Sequence, residues 1–322
     1  MTRTTNKNVF GNRKAFAAIT FGVLFSVAMA VIPNVISARS SVFADSNASG
    51  SMDGTAEYPF KKIQDAIDKA AKDHRNVIVR KGTYVENINV KENVEINGEN
   101  QDKVVIIAKD KHDPTVTMED GTELRKVTVK NGEYGVYVEK GAHAVVDKCT
   151  VTNNRKDGIK AGESNKKDKD HQLEVYNSEI SDNGWNGIYA MERKSIIMDN
   201  DIGDNDKEGI ELEKNSVSWV SGNSVHGNGN NGLRVTIDGS KVFTRNNTFN
   251  HNDGAGAEVR SNGKSGLVSL EKSKFYNNHR FGVARVSRGG FSAVSQWDKA
   301  LFIKDAKFYN NNKGNVSPIL NW

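Results

Sequence analysis

The sequence predicts an all-β chain wound into a right-handed parallel β-helix of about 22–24 residues per coil, with one N-terminal amphipathic helix covering its first coil. Three observations predict it. An Asn-x-x-x-Gly pattern recurs at a near-constant step, a short alternating run follows each of its Gly, and no Pro occurs between Thr115 and Ser317.

Six segments begin with an apolar residue, place Asn three positions on and Gly four positions further. The Asn column is Asn154, Asn183, Asn205, Asn228, Asn252 and Asn278; the Gly column is Gly158, Gly187, Gly209, Gly232, Gly256 and Gly282. Looser copies flank them at Asn131/Gly135 and Asn310/Gly314. The steps between successive Gly from Gly135 to Gly314 are 23, 29, 22, 23, 24, 26 and 32 residues.

Runs such as Ile188-Tyr189-Ala190, Ile210-Glu211-Leu212 and Leu233-Arg234-Val235 alternate with period two, which describes a strand with one buried face. A further short strand ends before each Asn, as in Ser195–Met198. Gly and Asn tolerate positive φ and so mark the corners. Strands this short bury nothing alone. Coiling stacks equivalent strands about 4.8 Å apart, buries one aliphatic column and lets Asn amides at one corner bond along the stack. The inward column is predicted as Val136, Ile159, Ile188, Ile210, Leu233, Ala257 and Val283. Cys149 falls in a small-residue column with Ser178, Asn200, Asn223, Asn247, Ser273 and Ala306, and is read as packing. Leucine-rich and calcium-binding nonapeptide repeats lack their signatures here, and ankyrin or tetratricopeptide arrays are helical and longer in period.

Residues 59–130 are read as the capping helix followed by irregular early coils, and 131–322 as the regular coils. Pro59 opens a segment with Ile63, Ala66, Ile67 and Ala70 on one helical face. Strands are expected at Val77–Arg80, Val85–Val90, Val104–Ile107 and Leu124–Val129. The C-terminal end has no comparable cover, which leaves Trp322 or a partner to shield it.

Composition bounds the rest. The 322 residues include 37 Asn, one Cys and four Pro, and only 36% are apolar. That excludes a polytopic membrane protein and a disulfide-stapled domain. The formal charge of +5 resides in residues 1–44, through Arg3, Lys7, Arg13, Lys14 and Arg39 without any acid. The body is neutral, so its charge gives no warrant for nucleic-acid binding. Those 44 residues read as a signal peptide: a basic start, the apolar run Ala15–Ile32, then Val42-Phe43-Ala44 with cleavage before Asp45 and a linker over 45–58. The rival reading is an uncleaved anchor, since 18 residues is near the lower length for a spanning helix. Either way the body works outside the cytoplasm, with no membrane insertion once the leader is cut.

The opening FKKIQDAIDKA, then VIVRKGTYVENINV, then the Asn-x-x-x-Gly coils together resemble the right-handed parallel β-helix proteins of the pectate-lyase-like superfamily, over about residues 53–316. The resemblance implies the fold and a class containing polysaccharide lyases, hydrolases, epimerases and methylesterases, but no single activity. The motifs of polygalacturonases, alginate epimerases and pectate lyases are absent. Gly82, Tyr84 and Glu86 match a methylesterase fragment whose partner motifs are missing, and are read as structural.

Function on a solenoid lives on an outward strand face walled by long turns. The largest insertions, Gly162–Gln172 and Ser287–Lys299, wall a groove about 24 Å long at the stack spacing. Its floor offers Tyr137, Lys160, Tyr189, Glu211, Arg234 and Glu258, with Glu213 and Arg260 two residues along and Trp185 and Trp297 for stacking on sugars. Glu211 and Glu258, two coils and about 9–10 Å apart, suit an inverting hydrolase, with Arg234, Lys160 or Tyr189 as base for an elimination. The competing reading is an alternating-charge ladder that avoids repulsion. No cofactor is predicted. Asp201, Asp204 and Asp206 offer oxygen ligands for calcium but lack EF-hand spacing, and turn solvation is the favoured reading. Lys166–Asp170 reads as a solvated loop. Three functions stay open: a secreted or envelope protein that binds polysaccharide, a lyase or hydrolase of an acidic glycan, and a non-catalytic structural adhesin.

Overall fold

The computed structural model describes residues 41–162 and 172–321. Residues 1–40, the insertion residues 163–171 and Trp322 lie outside the described residues, and with them most of the leader, the Lys166–Asp170 loop and the suggested Trp322 cover. The strands form three parallel sheets, A with 11 strands and B and C with 10 each, and after the first strand every third strand joins the same sheet. One coil shows the pattern: Lys194–Met198 lies in sheet A, Asp201–Gly203 in B and Ile210–Glu213 in C.

All seven residues of the inward column from Val136 to Val283 are fully buried in sheet C. Sheet B contributes Val151, Ile180, Ile202 and Val225, and then widens to Phe249, Phe275 and Phe308, whose rings stack at 5.1 Å centroid spacing.

Both corners flanking sheet B use one device. A residue with positive φ, such as Asp199 (56°) or Asp204 (54°), precedes an Asn that turns inward. The predicted ladder runs from Asn154 through Asn183, Asn205, Asn228, Asn252 and Asn278 to Asn311, each Nδ2 donating to the next Oδ1 at 2.8–3.0 Å. Asn131 and Asn310 stand one residue early; both have positive φ, and Gly132 and Asn311 occupy the ladder positions. A second ladder, Ser178–Asn200–Asn223–Asn247–Ser273, lines the other corner. Cys149 starts that line, fully buried, its thiol pushed up to about 12 by burial.

The repeated Gly have another cause than the one expected. Gly158, Gly187, Gly209, Gly232, Gly256 and Gly282 do not have positive φ. A Cβ on Gly209 would lie 2.4 Å from Val225 Cγ1 and 2.8 Å from Gly232 O. Close approach of the next coil excludes a side chain.

At the N-terminal end, strand β1 (Val42–Ala44) pairs in parallel with β2 (Val77–Val79), and helix α1 (Ile63–Asp73) lies between them in sequence. Helix α1 buries Ile63, Ala66, Ile67 and Ala70 against β1, β2 and strand Ile88–Val90. The Glu86 carboxylate accepts the first free N–H groups of α1, from Ile63 (2.9 Å) and Gln64 (3.2 Å), where the helix end favours an anion. Val42–Ala44, the last three residues of the leader as read from the sequence, form a strand of the first coil. Residues 45–58 are no free linker: Gly54 accepts from the Phe43 N–H and folds back over β1.

The early coils are more regular than expected. Val85–Val90 divides into strands Gly82–Val85 and Ile88–Val90, and Leu124–Val129 breaks at Lys126 (φ 54°). At the other end, strand Gly314–Asn321 gains a residue against Phe281–Ser287 around Ser317-Pro318, since Pro cannot donate to the ladder. Among the described residues no helix is long and apolar enough to cross a membrane.

Candidate functional site: the outer face of sheet C

Register brings most of the predicted floor into one outward column, Tyr137, Lys160, Tyr189, Glu211, Arg234, Glu258 and Ala284 on successive coils. Glu213 and Arg260 follow two residues along. The column is not an open wet ladder. Glu211 and Glu258 are buried, at 6% and 7% exposure. Arg234 binds Glu211 through Nε (2.9 Å) and Nη2, and Glu208 through Nη1, while Arg260 holds Glu258. The paired charges therefore satisfy one another instead of facing solvent singly. Lys160 Nζ sits 3.3 Å from the Tyr189 ring centroid, and the Tyr189 hydroxyl donates to Glu213 at 2.5 Å. Burial and the adjacent Glu213 raise that phenol far above its usual range.

A second column, the residue before each Gly, was not singled out from the sequence. It reads Asp157, Asn186, Glu208 and Asn231, all buried. Asn186 Nδ2 bridges Asp157 Oδ1 (2.9 Å) and Glu211 Oε2 (3.1 Å), linking this column to the outward one. Burial raises the Asp157 and Glu208 carboxyls, and Asp157 Oδ2 and Glu208 Oε2 have no hydrogen-bond partner. Lys160 Nζ lies 3.7 Å from Asp157 Oδ2, and burial lowers its pKa. The signal in the sequence was the Asp/Asn/Glu/Asn run at one repeat position, which becomes Ala255 and Phe281 on the next two coils.

One residue earlier still, backbone N–H to O bonds chain the corner column Glu133, Lys156, Trp185, Lys207, Asn230, Gly254, Arg280 and Lys313. Trp185 lies between Lys156 (Nζ 4.9 Å from the ring) and Lys207 (4.0 Å), a cation–π sandwich at the rim of the face. Arg280 and Lys313 make no ion pair among the described residues and are exposed. They border a depression of about 420 Å³ whose lining includes Glu258, Phe281, Ala284 and Leu320.

Trp297 does not join the site. Helix α2 (Val294–Trp297) turns it inward to 1% exposure, edge-on to Phe291 and donating to Phe291 O. The Ser287–Lys299 insertion thus plugs against the core instead of presenting an aromatic. Asp201, Asp204 and Asp206 do not converge; Asp201 takes His226 Nε2 at 2.9 Å, and among the described residues no three His, Cys, Asp or Glu side chains are grouped to hold a metal ion.

The comparisons agree with this architecture. The model of the right handed beta helix region matches residues 115–216 and 166–317. The pectate lyase Pel9A superposes with TM-score 0.54 at 15% identity, covering 88% of this chain and 80% of its own. The A-module of mannuronan C-5 epimerase AlgE4 from Azotobacter vinelandii gives 0.50 at 14% identity, covering 86% and 97%. The Dettilon tailspike protein gives 0.57 at 12% identity, covering 88% and 62%. None of the curated proteins is similar in sequence to this chain. A three-sheet parallel solenoid, its Asn ladder and the family match lead to one conclusion: the chain belongs to the right-handed β-helix family.

Proposed function

We propose that this β-helix binds an extracellular polysaccharide carrying carboxylates along the outer face of sheet C, after export by the basic, apolar leader. The observation that carries the reading is the depression between Glu258 and Lys313, where Arg280 and Lys313 have no ionic partner among the described residues and stand beside the apolar surface of Phe281, Ala284 and Leu320. A uronate residue offers both faces such a place selects, a carboxylate for the cations and a ring face for the apolar wall. Trp185 with Lys207 offers a cation beside an aromatic face four coil steps earlier than Arg280 on the same corner column, while Lys156, also near that ring, is held by Glu133. Fold neighbours whose names are mannuronan epimerase and pectate lyase support a polysaccharide ligand. In this reading α1 serves as the lid of the first coil.

Affinity gel electrophoresis tests it. A polyuronate cast in the gel should retard the protein and a neutral glucan should not, and Arg280→Ala with Lys313→Ala should abolish the retardation. Equal mobility in all gels rejects glycan binding and leaves the structural-adhesin reading.

A catalytic second reading rests on Asp157 and Glu208. They are buried carboxyls with raised pKa, each with one oxygen that accepts no hydrogen bond among the described residues, next to Lys160, Glu211 and Arg234. Perturbed acids gathered beside a groove are the material of proton transfer. In this reading Glu211, Arg234 and Glu258 hold and polarise the pair, and Asp157 or Glu208 supplies the proton. Incubation with a panel of uronans, followed by reducing-end and unsaturated-product assays, decides it. No product from any uronan removes the reading.

A further inference from the structure

We infer that the mature protein keeps β1, and that the leader is cut within Ala38–Ser41 rather than after Ala44. The small-residue triplet Val42-Phe43-Ala44 satisfies a signal peptidase by sequence, but in the fold it is the first strand of sheet A. Val42 and Ala44 are fully buried, and both belong to the continuous core that includes Ile63, Ala66 and Ile67 of α1. The strand is fixed on both sides. The Val42 N–H donates to Asn76 O at 2.8 Å, the Arg80 N–H donates to Ala44 O at 2.9 Å, and Phe43 exchanges N–H and C=O bonds with Gly54 and Phe60. The Tyr84 hydroxyl reaches Ala44 O, and the Arg75 guanidinium donates to Ser41 O at 2.6 Å, so ordered contacts extend upstream of the strand.

A cut after Ala44 removes all of these partners. It bares the edge of β2, strips the inner face of α1 and leaves the 45–58 segment without the strand it folds over. Immediately before β1 the sequence offers two other sites, Ile36-Ser37-Ala38 with Ala at the position before the cut, and Ala38-Arg39-Ser40 with small residues at both recognition positions. Either leaves β1 intact. This inference concerns export alone, so its failure leaves the glycan reading standing, and the reverse also holds.

The test is export of the full chain from a bacterial host, with intact mass and N-terminal sequencing of the exported protein. The expected N-terminus is Arg39 or Ser41. An N-terminus at Asp45, or a chain that keeps its leader, overturns the inference. Pulse-labelling reads processing independently of folding. Ala38→Asp combined with Ser40→Asp should accumulate precursor at least tenfold over the parent chain, while Ala44→Asp should be processed at the parent rate. The opposite pattern refutes it.

Discussion

Replacing Asn228 with Ala probes the corner ladder at its centre. The Asn228 side chain is fully buried and makes four hydrogen bonds. Its Oδ1 accepts from Asn205 N (3.3 Å) and Asn205 Nδ2 (3.0 Å), and its Nδ2 donates to Asn252 Oδ1 (2.9 Å) and Ile202 O (3.4 Å). At about 0.5–1.5 kcal/mol net for each bond, with the Asn205 backbone N–H left unpaired inside the protein while Asn205 Nδ2 keeps Ile180 O and Gly203 O, the loss is about 3–5 kcal/mol. Asn311, the last ladder residue described, accepts from Asn278 and donates to Phe275 O but bonds no later coil among the described residues, so Asn311→Ala should cost less, about 1–3 kcal/mol. The exposed Asn230 serves as control, with Asn230→Ala within about 0.5 kcal/mol of the parent. Urea unfolding followed by far-UV circular dichroism measures all three. If Asn228→Ala falls within the range of Asn230→Ala, the ladder stabilises nothing and the account of the Asn column is wrong.

Three further outcomes follow from the same coordinates. Arg193 is buried at 3% exposure with no acidic partner among the described residues, and burial lowers its pKa to about 10; its guanidinium donates to carbonyls of Glu139, Ala142 and Gly162 on other coils. Arg193→Met should destabilise by about 2–4 kcal/mol in thermal unfolding, and an unchanged midpoint would show that those carbonyls find water instead. Gly209→Ala should cost about 1–3 kcal/mol because the new Cβ meets Val225 and Gly232 of the next coil; stability equal to the parent would mean that the coils separate freely. Burial raises the Asp157 pKa in the fold, so its contribution to stability is complete below the unfolded value near about pH 4 and is lost as pH rises through the folded value. Asp157→Asn mimics the protonated form, so its urea midpoint should gain on the parent between about pH 4 and about pH 7, and a gain by the parent would contradict the burial argument.

The repeat was legible because a solenoid stamps one physical demand on every coil. Asn at each corner and aliphatic residues inside each strand recur with the coil, and the column from Val136 to Val283 was read from alternation alone. The cause of the Gly column was not legible, because crowding by Gly232 O or Val225 is a property of two coils and a single coil looks like a turn. The second ladder hid for a related reason: the Ser178 hydroxyl accepts from the Cys149 N–H and the Ser273 hydroxyl from the Asn247 N–H, which broke the Asn identity of the column while preserving its hydrogen bonds. For the site, outward register was correct, but charge pairing depends on side-chain reach across coils. Arg234 reaches back to Glu208 and Glu211 on one coil instead of alternating evenly with Glu258. Trp297 was misplaced because a loop aromatic reads the same whether its turn folds outward or inward.

Crystals soaked with a uronate oligosaccharide test the central claim most directly. The account predicts sugar density along the outer face of sheet C, with a carboxylate on Arg280 and Lys313 and further sugar units running toward Trp185. Density confined to the outer face of sheet A or B, or an empty face at saturating ligand, contradicts it.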